Sequence, residues 1–223
     1  MDWQALGLSF KLSLVTAVIL LPVGVLTGRW LAYSAVKAKV LIQALLTLPL
    51  VLPPTVLGYY LLLLLGGNSA FGKLLTHIFG QPLVFSFPAL VLASLLFNLP
   101  FAIQPIQRAF EAIPRDIREA AACCGMSPLT VLRRIELPLA WTGIAVALVM
   151  TFAHTLGEFG VVLMVGGNIP GETKTIAIAI YDRVQAFDND AASVMSAFLL
   201  VISLLMIACT YFVSDRLGRS YRS

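Results

Sequence analysis

Five stretches of the chain, 12–32, 41–65, 85–106, 141–165 and 193–213, are apolar almost without interruption. Their apolar positions follow one another rather than alternate, most plainly in the five successive leucines at 61–65. A strand of a membrane barrel would alternate instead. At about 20 residues, a helix can cross a hydrocarbon layer of roughly 30 Å. In hydrocarbon the backbone must satisfy its own polar groups, which a helix does within one segment. The pattern predicts an all-α, polytopic membrane protein of about five transmembrane helices.

The polar interruptions define the connections. Residues 33–40 are short and basic, 66–84 are Gly-rich and polar, and 107–140 form the longest stretch between spans. Residues 166–192 carry Gly166, Gly167, Pro170 and Gly171, then Asp182, Asp188 and Asp190, and a basic tail follows Asp215. None of these leaves room for a separate soluble domain, so residues 1–223 are expected to form one domain. Asp2 and Trp3 stand where a secretory leader would be basic, and no small-residue cleavage site closes the first stretch. That stretch is expected to be a retained helix.

Composition agrees. Hydrophobic residues make up 59% of the 223 and charged residues only 12%, where soluble domains carry about 25% charged. Mean hydropathy is +0.93. So large an apolar surplus excludes both a small soluble globule and a disordered chain. Short loops rich in Lys and Arg lie on the cytoplasmic side. Placing 107–140 inside puts eleven of the 15 basic residues there: Arg29, Lys37, Lys39, Arg108, Arg115, Arg118, Arg133, Arg134, Arg216, Arg219 and Arg222. Lys11, Lys73, Lys174 and Arg183 fall outside. The expected topology has the N-terminus outside and the C-terminus cytoplasmic. The net charge of +4 then reflects topology, not a nucleic-acid surface, since the basic residues share no single face. Cys123 and Cys124 are adjacent, Cys209 lies in an apolar stretch, and none has zinc-site spacing.

The segment 112–138 is the most informative. Pro114 suits a first helical turn, and Asp116 and Glu119 complement the helix dipole there. Ala120, Ala121 and Ala122 propagate a helix, and Gly125 fits its left-handed stop. Ser127-Pro128 restarts a second helix as cap and first residue, which is expected to end at Pro138. The prediction is a rigid cytoplasmic hairpin of two short helices.

Glu119-Ala120-Ala121, Gly125 four residues after Ala121, and Ile135-x-Leu137-Pro138 after nine more residues resemble the EAA signature of ABC importer permeases. The resemblance implies a MetI-like, type I ABC importer fold and a coupling helix that docks on a separate ATPase. Glu119, Ala120, Ala121 and Gly125 would form the docking surface, supported by Ile135, Leu137 and Pro138. Gly67 to Lys73 has the spacing of a phosphate-binding loop, but Leu74 replaces the Ser or Thr that would hold Mg²⁺. No cofactor is therefore expected in this chain, with ATP and Mg²⁺ belonging to the partner ATPase.

Within the membrane, Thr151, His154, Thr155 and Glu158 recur at helical spacing and are read as a pathway-facing stripe, with His154 and Glu158 close enough to pair. Pro49, Pro53 and Pro54 interrupt the second span near its middle, and discontinuous helices often mark a transport route. Thr55 and Tyr59 extend a polar face from that interruption. Asn98, Pro100 and Pro105 disturb the third span. Gly24 and Gly28 give the first a small-residue packing face.

The runs Leu48-Pro-Leu-Val-Leu-Pro-Pro54 with Gly58-Tyr59, Leu156-Gly-Glu-Phe-Gly160 and Asn168-Ile-Pro-Gly-Glu-Thr-Lys-Thr-Ile176 are similar to molybdate importer permeases. The second run is shared with sulfate/thiosulfate permeases, and the third tilts the resemblance to molybdate. It implies an inner-membrane homodimer, two cytoplasmic ATPase copies and an extracytoplasmic oxyanion-binding protein. Tungstate, of similar size and charge, is an alternative cargo, as is sulfate or thiosulfate. An ionised Glu158 would repel a dianion, so it is read as a gate residue rather than a ligand. An intramembrane enzyme built on His154 and Glu158 is the remaining alternative. It lacks the two closely spaced histidines of a zinc protease, since only His77 and His154 exist.

Overall fold

A computed structural model describes residues 1–220; Arg222, assigned to the cytoplasmic side, lies outside them. The chain order is α1 (Trp3–Tyr33), α2 (Lys39–Val51), α3 (Pro54–Leu65), α4 (Ala70–Phe79), α5 (Phe87–Glu111), α6 (Arg115–Cys123) and α7 (Pro128–Val131). A π segment (Leu132–Glu136) leads into α8 (Leu137–Leu156), followed by α9 (Gly160–Gly166), α10 (Ile176–Gln185) and α11 (Asn189–Ser220). Among the described residues, four helical stretches are long and apolar enough to cross a membrane, and the bent pair α2–α3 makes a fifth if counted as one span.

α1, α5 and α8 pack together as the centre of the bundle. Gly24 and Gly28 let α1 approach the α5 backbone: an added methyl would lie 2.9 Å from the Ala102 carbonyl oxygen or 3.0 Å from the Gln107 nitrogen. Ile106, Phe110, Ile113, Ala140, Ile144 and Ala147 fill the core between the ends of α5 and α8. A second core joins α3, α5 and α9 through Leu61, Leu65, Ala93, Phe97, Val161 and Val165. α2 has no buried residue and meets α5 through polar ties, Gln104 to Thr47 at 3.1 Å and Lys39 to Glu111 at 3.5 Å.

The structure sharpens two of these expectations and corrects two others. The interruption expected within 41–65 is a full break, with two helices meeting at 105°. Pro53 and Pro54 remove two successive N–H donors, and a proline drives the residue before it out of the helical region. Leu52 and Pro53 are accordingly extended, with ψ of 137° and 132°. The stretch 141–165 is also broken: α8 ends at Leu156, and Glu158 lies between α8 and α9 rather than on a helix. The connections 66–84 and 166–192 contain the ten-residue helices α4 and α10. Gly67–Lys73, the phosphate-loop look-alike, is a turn entering α4, capped by Ser69 accepting from the Gly72 amide at 2.7 Å.

Pro138 does not end the second hairpin helix. α7 continues through the π segment into α8, with the Leu137 amide reaching back five residues to Leu132. Proline fits a first helical turn, where its missing N–H costs least, and the wide π turn ahead of α8 provides that position.

Candidate functional site

The hairpin forms as its local chemistry requires. Pro114 caps α6 with extended backbone, and Asp116 sits in the first turn. Gly125 holds φ +72°, a left-handed stop, and Met126 N–H returns to the Ala121 carbonyl at 3.2 Å. Ser127 Oγ caps α7 by accepting from the Thr130 amide at 3.3 Å. Glu119, Ala120 and Gly125 are exposed, as a docking surface requires. Ala121 is buried, so it offers no exposed surface of its own. Ile135 and Leu137 are half-buried beneath the hairpin, and Pro138 is exposed.

The unspecified position of the Ile135-x-Leu137-Pro138 motif proves the most constrained. Glu136 is fully buried. Its carboxylate accepts from Arg29 Nε at 2.5 Å, Arg29 Nη2 at 3.4 Å and Arg118 Nε at 3.1 Å. The Arg118 guanidinium lies 3.5 Å from the centre of the Tyr33 ring. Tyr33 Oη donates to the Phe110 carbonyl at 3.2 Å. Four elements thus meet at one charged knot: α1, α5, α6 and the π segment. Sequence reasoning used Arg29 and Arg118 only to orient the chain and passed over Glu136. The available signal was a lone carboxylate on the threshold of an apolar span, where an unpaired charge is too costly to bury.

The second group lies where the two broken helices face each other. Pro54 and Thr55 open α3, while His154, Gly157, Glu158, Phe159 and Gly160 cross from α8 to α9, and together with Phe97 they line a cleft of about 620 Å³. Close approach depends on glycine: a methyl at Gly160 would lie 2.9 Å from Pro54 Cβ, and one at Gly58 would lie 2.6 Å from Met164 Cβ.

Glu158 and His154 do not pair directly; Asn98 stands between them. Ser94 Oγ donates to Glu158 Oε2 at 3.0 Å, and Asn98 Nδ2 points to the same oxygen at 3.5 Å. Asn98 Oδ1 takes the His154 Nδ1 contact at 2.9 Å, so that nitrogen is the donor. Phe97 and Phe101 flank the imidazole, with ring centres 5.2 and 4.1 Å away. Glu158 Oε1 is buried with no hydrogen-bond partner.

The remaining pathway residues divide. Thr151 and Thr155 are buried, with Thr155 Oγ1 bonding back to the Thr151 carbonyl at 2.8 Å. They face the interior of the bundle, so the stripe splits. Helical spacing cannot distinguish a face turned to a cleft from one turned to neighbouring helices. Pro49 is half-buried in the last turn of α2, and Tyr59 is exposed on α3 beyond the cleft. Ser94, absent from the expected site, joins it because α5 places Ser94 and Asn98 one turn apart on the buried face opposite Glu158.

The run 168–176 is also built up by side chains. Asp182 of α10 accepts from Asn168 Nδ2 at 3.0 Å and pairs with Lys174 at 2.6 Å. Burial pushes the Asp182 carboxyl up, but its bonds to Lys174 and Asn168 outweigh that and hold it below the usual carboxylate range.

Comparison with known proteins places this architecture. The chain is 41% identical over 210 residues to the molybdenum transport system permease protein ModB of Azotobacter vinelandii, covering 94% of this chain and 93% of that one. It is 35% identical to the permease of the same name from Escherichia coli (strain K12), covering 99% and 95%. A sulfate transport system permease protein, CysT of Salmonella typhimurium, is 29% identical over 88% of this chain and 70% of its own. Among solved structures, a bacterial ABC transporter that imports alginate superposes with a TM-score of 0.77 at 18% identity, covering 96% and 78%. The MetNI methionine ABC transporter gives 0.69 at 19% identity, covering 97% and 94%. At those identities the likeness concerns fold alone, and the fold is that of type I importer permeases. Residues 21–223 match the family described as binding-protein-dependent transport system inner membrane component, and the chain belongs to that family.

Proposed function

We propose that this chain is the translocation subunit of a molybdate importer. The observation that carries the cargo is its 41% identity, over nearly the full length of both chains, to a permease named for molybdenum transport. Tungstate fits the same reading, being a tetrahedral dianion of similar size. Sulfate is the second reading, favoured by the more distant similarity to a sulfate permease.

In this mechanism two copies of the chain form the channel. The bare face of α2, with no buried residue, supports a second copy in that position. The cytoplasmic side carries α6 and α7, where Glu119, Ala120 and Gly125 receive a groove of the ATPase, one ATPase per permease copy. The ATPase binds ATP and Mg²⁺, and this chain supplies no catalytic residue. An extracytoplasmic binding protein delivers the oxyanion, and lipid surrounds the bundle. The N-terminus is then outside and the C-terminus cytoplasmic, as the basic loops require.

ATP-driven closure of the ATPases moves the two hairpins and rocks the bundles between inward and outward access. The cleft between α3 and the α8–α9 break, with His154, Thr55 and Glu158, lies on the pathway. Glu158 acts there as a gate residue that holds the α8–α9 break against Ser94 and Asn98 of α5, not as an anion ligand. Cargo selection rests mainly with the binding protein, because a dianion next to a carboxylate gains no affinity.

Uptake by the complex reconstituted with its ATPase and binding protein, with molybdate, tungstate and sulfate competing, tests the cargo. Preference for molybdate and tungstate is expected; preference for sulfate overturns the proposal.

A further inference from the structure

We infer that Glu136 is a positioning residue for energy coupling: its buried carboxylate, clamped by Arg29 of α1 and Arg118 of α6, is the joint through which displacement of α6 reaches the membrane bundle. The inference rests on the reading of α6 as the helix that docks on the ATPase.

α6 is held by very little else. Ala121 is its only buried residue, and even Ile117 is exposed. Its ends are an extended proline and a left-handed glycine, both turns rather than continuous helix. Arg118 is therefore the main lateral tie between α6 and the helices above it. That tie is directional. The guanidinium is fixed on one side by Glu136 at 3.1 Å and on its flat face by the Tyr33 ring at 3.5 Å. Tyr33 is held by the Phe110 carbonyl. Pulling α6 away must pull on Glu136, and through Glu136 on Arg29.

The far side of the joint is suited to move. Glu136 ends the π segment, where the helix carries one surplus residue per turn. π turns inside helices occur frequently at functional sites. Displacement of this turn would be passed to α8, whose other end carries His154 and, just beyond, Glu158. Arg29 lies one residue from Gly28, one of the two glycines at which α1 meets the α5 backbone. The joint thus addresses both helix interfaces at the centre of the bundle.

A purely structural role would not favour this chemistry. Replacing a buried ion cluster by apolar side chains of similar volume is often neutral or stabilising. What ions add is fixed geometry, since parting them strands a charge away from water. A joint that must carry displacement without slipping requires that property.

The test uses the full complex in proteoliposomes, with ATPase and binding protein, measuring molybdate taken up per ATP hydrolysed. Glu136→Gln leaves two arginines without a counter-charge and can fail to fold. Arg118→Gln removes one of the two partly exposed partners and leaves Glu136 with Arg29. Arg118→Gln is expected to retain the ATPase on purification but lower uptake per ATP by about fivefold or more, the low end of measured couplings between sites. Arg118→Lys, which keeps the charge but loses the planar stack, should recover part of it. Unchanged uptake per ATP in Arg118→Gln overturns the inference. So does a loss confined to expression and thermal stability, with the ratio intact. Glu119→Arg, on the exposed face of α6, separates the two levels. If it leaves ATPase retention and uptake normal, the docking reading itself fails. If it releases the ATPase while Arg118→Gln couples normally, docking stands and only the joint is refuted.

Discussion

Replacing the glycines of α1 by alanine separates helix propensity from helix packing, because Gly7, Gly24 and Gly28 share one helix. Alanine gains at most about 1 kcal/mol over glycine in a helix interior. At Gly7 a new methyl meets nothing within 4 Å, so Gly7→Ala should be neutral or stabilising by up to about 1 kcal/mol. At Gly24 the methyl would lie 2.9 Å from the Ala102 carbonyl oxygen and 3.0 Å from Ile106 Cδ1. At Gly28 it would lie 3.0 Å from the Gln107 amide nitrogen and 3.2 Å from Ile106 Cγ2. Comfortable contacts between carbon atoms are about 3.5–4.0 Å, and a gap of 0.5–1 Å forfeits about a quarter to a half of the dispersion well at each facing pair. Ile106 can rotate, but the Ala102 carbonyl and Gln107 amide belong to the α5 backbone, so the helices must part. Overpacking of this kind costs about 1–3 kcal/mol. Less the propensity gain, each substitution should destabilise by up to about 2 kcal/mol. The pair together should cost less than the sum, because one separation relieves both clashes. Titration of the purified chain from mild detergent into denaturing detergent, followed by tryptophan fluorescence, measures these values. If Gly24→Ala and Gly28→Ala match Gly7→Ala in sign and size, these glycines do not set the α1–α5 spacing.

Other consequences follow from the two sites. Gly125→Val forces a β-branched residue into φ +72° at a cost of about 1–2 kcal/mol or more, and should reduce uptake with membrane insertion unchanged, whereas Gly125→Asn should be tolerated; equal uptake by both would show that the left-handed stop is not required. Asn98→Leu removes the group that joins His154 to Glu158 and should impair uptake and thermal stability more than Ser94→Ala, which removes one hydrogen bond worth about 1 kcal/mol; the reverse order would place Ser94, not Asn98, at the centre of the network. Because the folded Asp182 carboxyl is held below its usual range, its contribution is present above the ordinary carboxylate pKa of about 3.9 and is lost as pH falls through the depressed value. Hydrogen exchange at residues 173–176 should accelerate in that acid window and lose this pH dependence in Asp182→Asn, and an identical profile in the variant would remove Asp182 as the tie.

Much of this protein is legible from its residues in order. Runs of 20 or more apolar residues admit few solutions in a bilayer, so the helical class follows from composition and length. The hairpin was legible for the same kind of reason. Pro114, Gly125 and Ser127 act on the backbone next to them, and φ +72° at Gly125 is a local requirement. Gly24 and Gly28 announced a close helix contact, though not its partner. The breaks were half visible. Two adjacent prolines predicted an interruption at 53–54, but the 105° turn depends on what α3 packs against, which is α9.

The groupings that matter most to function join residues far apart in the chain. Helical spacing put Thr151, His154, Thr155 and Glu158 in one stripe, yet whether a side chain meets a cleft or a neighbouring helix depends on the surrounding elements. Ser94 and Asn98 of α5 completed the Glu158 network, and Asn98 took the place expected of a direct His154–Glu158 pair. Glu136 had no partner within its own helix. Its counter-charges, Arg29 and Arg118, lie 107 and 18 residues away. Sequence alone determined the long apolar helices and the left-handed stop at Gly125, because those depend on forces between near neighbours. Only the tertiary structure decided where the buried charges find partners, because a carboxylate removed from water is stabilised by whatever the fold brings to it.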